Sequence, residues 1–132
     1  MPRNSRILFV CIENAGRSQM AEAFGKKYGF DCESAGTFPS AKVNPTVVEA
    51  MHEKGFELEG KTPREMTIEM VRKADLVVIM GCSIEEVCPR PIAVEMSKKI
   101  VDWGIDDPKG KPIEEVRAIR DTIEEKVKGL LE

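Results

Sequence analysis

The sequence predicts an α/β fold, a three-layer sandwich in which a parallel sheet carries helices on both faces. The predicted strands at 6–10 and 74–80 are built around continuous apolar runs, which are typical of strands buried on both faces. Amphipathic helical patterns lie between the strands, and glycine or proline marks most boundaries. Alternation of strands with helices favours parallel pairing through right-handed crossovers.

In the first half of the chain each predicted element has its own local signal. The first helix places large apolar side chains four residues apart on one face, and Gly29 ends it. The second strand is weaker and is closed by Gly36. The second helix begins with Asn44 as its cap and Pro45 in its first turn. The predicted elements are strands at 6–10 and 30–35 and helices at 19–28 and 45–54.

The second half repeats the alternation of helix and strand. Methionines spaced along 63–73 indicate a third helix, and the second strong apolar run follows it directly. A short strand precedes the Gly104 loop, and apolar residues every three or four positions mark the last helix. The predicted elements are a helix at 63–73, strands at 74–80 and 99–103, and a helix beginning near 112.

Length and composition limit the classes of protein that this chain represents. At 132 residues, 42% hydrophobic and 33% charged, residues 1–132 are expected to form one globular domain. No apolar stretch is long enough for a membrane span, and the first residues do not resemble a secretory signal, so a cytoplasmic location is expected. The net charge of −3 argues against a nucleic-acid partner, and no membrane partner is expected.

One loop between the first strand and the first helix has the composition of an oxyanion site. Loop amides and the unpaired N–H groups of a helix start converge on one point, where the helix dipole adds partial positive charge. The loop is therefore predicted to bind a tetrahedral oxyanion. Its residues are Cys11, Ile12, Glu13, Asn14, Ala15, Gly16, Arg17 and Ser18.

Five of these residues suit nucleophilic chemistry. Cys11 supplies the nucleophile, and the Arg17 guanidinium matches two oxygens of the anion. Gly16 permits close approach of the backbone, Asn14 tolerates a left-handed conformation, and the Ser18 hydroxyl can donate to sulfur. Together they favour the reactive thiolate of Cys11. The alternative is that this cysteine simply fills a buried strand end.

Residues distant in sequence are expected to meet at the same edge of the sheet. Cys11, Cys82 and Asp107 each follow the carboxyl end of a predicted strand, where ligands collect in parallel sheets. Cys32 belongs to no motif and is predicted to lie in the core, and His52 is predicted to be exposed. No metal site is expected, because the cysteines and the single histidine do not supply a four-ligand zinc set.

These motifs resemble those of the low-molecular-weight tyrosine phosphatase superfamily, which includes the thioredoxin-coupled arsenate reductases. Residues 11–18 are similar to its signature loop, and Asp107-Pro108 resembles its downstream Asp-Pro. The similarity covers essentially the whole chain and implies a four-stranded parallel sheet of flavodoxin-like type. It also implies that Asp107 is the general acid that protonates the leaving oxygen.

The segment 80–89 resembles the redox segment of the reductases. This resemblance implies that arsenate is reduced to arsenite through a relay of Cys11, Cys82 and Cys88, with thioredoxin or a similar dithiol as reductant and no cofactor. A phosphatase that forms a phosphocysteine at Cys11 is the first alternative. A non-catalytic module that binds an oxyanion is the second.

Departures from the family pattern bear on this choice. The loop has no second cysteine beside Arg17, and Lys109-Gly110 stands where phosphatases commonly have tyrosines, which favours a reductase. Against a reductase, residues 62–64, Thr-Pro-Arg, lie where some reductases carry a Ser-Asp that contributes to a potassium site, so that ion is not transferred to this chain. Glu13 is unusual in an anion loop, and its side chain is expected to point outward and to repel acidic peptides.

Overall fold

The computed structural model describes residues 5–80 and 100–130. Among these residues, none of the helices is both long and apolar enough to cross a membrane. The strands are β1 (Arg6–Cys11), β2 (Asp31–Gly36), β3 (Leu76–Ile79) and β4 (Ile100–Asp102), and the helices are α1 (Arg17–Lys27), α2 (Pro45–His52), α3 (Ile68–Lys73) and α4 (Ile113–Gly129).

The four strands form one parallel sheet in the order β2-β1-β3-β4, which confirms the predicted fold class. Strand β1 is internal, and its last residue, Cys11, lies opposite Gly36 of β2. On its other side Val10 pairs with Ile79 of β3. The carboxyl ends of three strands therefore surround Cys11, in the crevice where parallel sheets bind ligands.

Helices cover both faces of the sheet. Ile7 and Phe9 point into a large core that includes side chains of α1, α2 and α4. Leu8 and Val10 point to the opposite face, where Val71 of α3 contributes to a second core. Because successive strand side chains alternate between faces, one continuous apolar run supplies both layers.

Local signals set several helix ends as predicted. Asn44 accepts a hydrogen bond from the backbone N–H of Thr46 at 2.9 Å and caps α2, with Pro45 in its first turn. Gly29 follows α1 with a φ of 90°, a conformation that glycine adopts without steric strain.

The third helix begins later than predicted, at Ile68 instead of residue 63. The preceding segment forms backbone hydrogen bonds with the end of β2: Gly36 N–H donates to the Arg64 carbonyl, and Met66 N–H donates to the Gly36 carbonyl, both at 2.8 Å. Thr67 then caps the helix by accepting from Met70 N–H. Residues 63–67, which the methionine spacing assigned to the helix, are therefore held outside it by a tertiary contact.

A cluster of ions joins α4 to the end of α2. Arg117 donates three hydrogen bonds to the Glu53 carboxylate, and Arg120 donates to the same carboxylate and to the Ala50 carbonyl, both at 2.8 Å. Arg117 is the largest cause, and Arg120 a further cause, of a Glu53 pKa lowered to about 2. The cluster therefore requires an ionised Glu53.

We expect Glu53→Gln to reduce the acid sensitivity of folding. Because the folded-state pKa is lowered from 4.5, the contribution of Glu53 is complete above pH 4.5 and is lost as the pH falls towards 2. Urea unfolding should show the variant less stable than wild type at pH 6, with the difference shrinking by pH 3. Glu125→Gln, which removes an exposed carboxylate 3.6 Å from Lys128, is the control. A difference independent of pH would contradict the assignment.

Candidate active site

The loop between β1 and α1 is held from outside by its carbonyl groups. The carbonyls of Ile12, Glu13 and Ala15 accept hydrogen bonds of 2.8–3.0 Å from a neighbouring segment. In a trans peptide the N–H of the next residue points to the opposite side, so these amides turn away from that segment. The donors to the three carbonyls are the backbone N–H groups of Phe38, Ser40 and Asn44.

Gly36 allows the end of β2 to lie directly against this loop. A Cβ atom at Gly36 would stand 2.6 Å from the Ile12 carbonyl oxygen and 2.8 Å from the Asn14 amide nitrogen. Both neighbours are backbone atoms, so neither can move aside without displacing the loop. The shape of the loop therefore depends on glycine at this position.

We expect Gly36→Ala to distort the loop and to lower catalytic activity by about tenfold or more, together with a loss of roughly 1–3 kcal/mol of stability from overpacking. Turnover and urea unfolding measure the two effects. Gly129→Ala is the matched control, because a Cβ there meets nothing within 4 Å. An active, stable Gly36→Ala protein would show that the loop tolerates the displacement.

Asn14 is the hub of the hydrogen bonds behind the loop. It is completely buried and has a φ of 51°, as predicted for a residue that tolerates the left-handed region. Its Oδ1 accepts from the Arg64 backbone N–H at 2.8 Å, which fixes the orientation of the amide. Its Nδ2 then donates to Ser18 Oγ at 2.8 Å and to Ser34 Oγ at 3.0 Å.

These contacts leave the Ser18 hydroxyl proton available for a hydrogen bond to the nucleophile. Glu22 accepts from the Ser34 hydroxyl at 2.7 Å, so Ser34 is left to accept from Asn14. Ser18 also accepts from Asn14, and its own proton remains for Cys11 Sγ, 2.9 Å away. The Ser18 hydroxyl is therefore placed to donate a hydrogen bond to the sulfur of Cys11.

Glu22 is a charged residue in the interior whose role sequence reasoning missed. Only 3% of its surface is exposed. Burial alone would raise the pKa of Glu22, but hydrogen bonds from Lys26 and Ser34, aided by the Lys26 and Arg64 charges, hold that pKa below 4.5. Lys26 lies at 2.8 Å and Arg64 at 3.2 Å. The available signal was that Glu22 follows Ser18 by four residues, which places both on one face of α1.

Arg17 is positioned by carbonyl groups of two other segments. Its side chain is 9% exposed, and Nη1 donates to the Ile105 carbonyl at 2.9 Å and to the Met80 carbonyl. Its Nη2 lies 3.9 Å from Asp107 Oδ2. The guanidinium is thereby fixed at the carboxyl end of β3, beside the carboxyl group predicted to be the acid.

The loop forms one wall of a cavity of about 310 Å³, into which Cys11 and Arg17 both open. Residue 40 and residues 42–45 form a second wall, and residues 107–110 form a third. Pro108 lies directly over Gly16, where a Cβ would stand 2.9 Å from Pro108 Cγ. The glycine thus accommodates Pro108, a reason for its presence that the sequence pattern did not indicate.

Asp107 stabilises a turn and also lies at the cavity, where the sequence predicted it. Its Oδ1 accepts from the Lys109 backbone N–H at 3.0 Å, and Oδ2 faces Arg17. Its side chain is 55% exposed. Both interpretations of the Asp-Pro pair, turn former and site residue, therefore describe the same geometry.

Glu13 does not simply point outward as expected. Its side chain is partly buried at the cavity, and its Oε1 lies 3.4 Å from Lys109 Nζ. The contact joins the wall that carries Cys11 to the wall that carries Asp107.

The remaining cysteines occupy different situations. Cys32 lies in the core as predicted, and burial raises the pKa of its thiol to about 12. Cys82 and Cys88 lie outside the described residues.

Within the ranges 5–80 and 100–130, no group of three or more His, Cys, Asp or Glu side chains is arranged to hold a metal ion. His52 is exposed as predicted and contacts Glu57.

Comparison with known proteins places this site in a family. The sequence pattern of the low molecular weight phosphotyrosine protein phosphatases matches residues 6–132, which is nearly the whole chain. The chain belongs to this family. Among its relatives, an arsenate reductase of Brevibacillus brevis is 38% identical, and the alignment covers 100% of this chain and 98% of that protein.

Solved structures with this fold include an arsenate reductase and an arginine phosphatase. An arsenate reductase in its phosphate-binding state superposes with a TM-score of 0.79 at 32% identity, covering 96% of this chain and 95% of that one. An arginine phosphatase from Geobacillus stearothermophilus superposes with a TM-score of 0.77 at 30% identity, covering 96% and 90%. The fold is common to both, so the fold alone does not decide between the two activities.

Proposed function

We propose that this chain is an arsenate reductase that uses a relay of Cys11, Cys82 and Cys88. The observation that carries the proposal is the position of the cysteine pair in the chain: Cys82 follows Met80, whose carbonyl binds Arg17, by two residues. Full-length similarity to proteins named arsenate reductase supports the same conclusion.

In the first step Cys11 attacks arsenate held by the loop amides and Arg17. An arsenic–sulfur bond forms and an arsenic–oxygen bond breaks, and Asp107 supplies the proton with which the oxygen leaves as water. The anion pairs with Arg17, whose Nη2 lies 3.9 Å from Oδ2 of Asp107, so the acid stands beside the bound anion. Ser18 stabilises the attacking thiolate by its hydrogen bond to Cys11.

In the second step Cys82 attacks the Cys11 sulfur. A Cys11–Cys82 disulfide forms, the arsenic–sulfur bond breaks with its electron pair on arsenic, and arsenite leaves. The two thiols have then supplied the two electrons that convert arsenate to arsenite. Cys88 attacks Cys82, releases the Cys11 thiolate and leaves a Cys82–Cys88 disulfide, which thioredoxin or a similar dithiol reduces by exchange.

A phosphatase is the second candidate function, and the described site favours it in one respect. Cys11, Arg17 and Asp107 would suffice for attack on a phosphate monoester, departure of the alcohol and hydrolysis of the phosphocysteine by water. The arginine phosphatase at 30% identity has the same fold. We therefore expect slow hydrolysis of phosphate esters alongside arsenate reduction.

A comparison of two assays on the unmodified protein tests the proposal. With thioredoxin, thioredoxin reductase and NADPH, arsenate should drive NADPH oxidation with one arsenite formed for each NADPH consumed. Hydrolysis of para-nitrophenyl phosphate by the same preparation shows that the anion site is intact. Ester hydrolysis without arsenite formation would establish the phosphatase instead.

A further inference from the structure

We propose that Glu13 and Lys109 form a clasp that positions Asp107 over the nucleophile loop. The inference rests on the proposed role of Asp107 as the acid. Both clasp members are positioning residues, because each acts through Asp107 and not on the reacting atoms. The ion pair joins the cavity wall that contains Cys11 to the wall that contains Asp107, with Glu13 Oε1 and Lys109 Nζ 3.4 Å apart.

Lys109 is tied to Asp107 by its own backbone. Its N–H donates to Asp107 Oδ1 at 3.0 Å, while its ammonium group contacts Glu13. A displacement of Lys109 therefore moves the hydrogen bond that orients the Asp107 carboxyl. At the other end, the Glu13 carbonyl accepts from the Ser40 N–H at 3.0 Å, which holds the backbone of the clasp partner in place.

The acid-bearing segment needs such a constraint. Residues 108–111 form a turn, in which Lys111 N–H donates to the Pro108 carbonyl at 3.1 Å and Gly110 has a φ of 75°. The Asp107 side chain is largely exposed, and the cation that contacts it among the described residues is Arg17, at 3.9 Å. When an oxyanion engages that guanidinium, Arg17 holds Asp107 less firmly. Because the Glu13–Lys109 contact does not involve Arg17, we expect it to persist when the oxyanion binds.

The alternative role of these two charges is to steer the anion. If Lys109 only attracts the substrate and Glu13 only repels it, then removing the two charges has opposite effects on kcat/KM. A clasp predicts effects of the same sign, because loss of either partner releases Asp107. The sign of the Glu13→Gln effect therefore separates the two roles.

The clasp is tested by measuring the kinetics of four variants. They are Glu13→Gln, Lys109→Gln, the double variant of these two, and the reversed pair Glu13→Lys with Lys109→Glu. We expect each single change to lower kcat/KM by about twofold to fivefold, as for an exposed ion pair. The double variant should be no worse than either single, and reversal should restore most of the loss. The loss should be larger with phenyl phosphate than with para-nitrophenyl phosphate, because the poorer leaving group depends more on the acid. An increase in kcat/KM for Glu13→Gln, or equal losses with both esters, would overturn the clasp.

Lys111→Gln is the matched control, since it removes a charge two residues away that contacts only Glu115 among the described side chains, at 3.8 Å. It should leave the ratio of the two esters unchanged. Amide exchange without substrate gives a readout independent of activity. We expect Glu13→Gln to accelerate exchange at Lys109 and Lys111, and unchanged exchange would contradict the clasp. Absence of turnover by wild type with arsenate and esters would instead contradict the proposed function.

Discussion

Cys82→Ser is expected to abolish arsenate reduction, with a loss of at least about 10³-fold in turnover, while hydrolysis of para-nitrophenyl phosphate continues. The serine hydroxyl cannot form a disulfide with Cys11, so the thiol–arsenate adduct has no second electron donor. Ester hydrolysis needs only water after the first attack. The thioredoxin-coupled assay and the ester assay on one preparation measure both activities.

Cys32→Ser is the matched control for this prediction. Cys32 is buried and its Sγ donates to the Glu22 carbonyl at 3.5 Å, a contact that a serine hydroxyl can replace. Because Cys32 has no place in the relay, this variant should keep both activities. Arsenate reduction that survives in Cys82→Ser would remove Cys82 from the mechanism.

Arg17→Lys is expected to lower kcat/KM by roughly 10²–10³-fold for arsenate and for phosphate esters alike. The guanidinium donates to the Met80 and Ile105 carbonyls while it presents Nη2 towards the cavity. An ammonium group has no planar fork with which to make the carbonyl contacts and bind two oxygens of the anion. The substitution therefore removes both the positioning and the bidentate contact.

Arg120→Lys separates this effect from a general loss of stability. Arg120 is also buried and also donates to a carbonyl, that of Ala50, but its other hydrogen bonds among the described residues are to Glu53 and Asp121, and it does not line the cavity. Its replacement should lower the midpoint of urea unfolding and leave kcat/KM unchanged. A tenfold or smaller effect of Arg17→Lys would mean that the loop amides hold the anion largely by themselves.

The elements that the sequence predicted correctly are those governed by local signals. Continuous apolar runs located β1 and β3, since strands buried on both faces tolerate few polar residues. Capping chemistry located the start of α2, where Asn44 and Pro45 act within one turn. The motif loop was predictable for a similar reason. Asparagine tolerates the left-handed conformation better than most residues, and Asn14 adopts it.

Features that arise from tertiary contacts were not predictable from local patterns. The segment before α3 pairs with Gly36, a contact across about thirty residues of sequence that overrides the helical spacing. Arg17 is held by backbone carbonyls, which every residue possesses, so no side-chain pattern marks them. The Glu13–Lys109 contact and the place of Arg64 beside Glu22 likewise appear only when the chain folds.

A single turnover without reductant tests the relay most directly. Fully reduced protein is mixed with excess arsenate, quenched with an alkylating reagent and digested, and the free and bonded thiols are mapped by mass spectrometry alongside a measurement of arsenite. The account predicts one arsenite per chain and one disulfide that joins Cys82 and Cys88, with Cys11 and Cys32 alkylated. Four alkylated cysteines and no arsenite would contradict it.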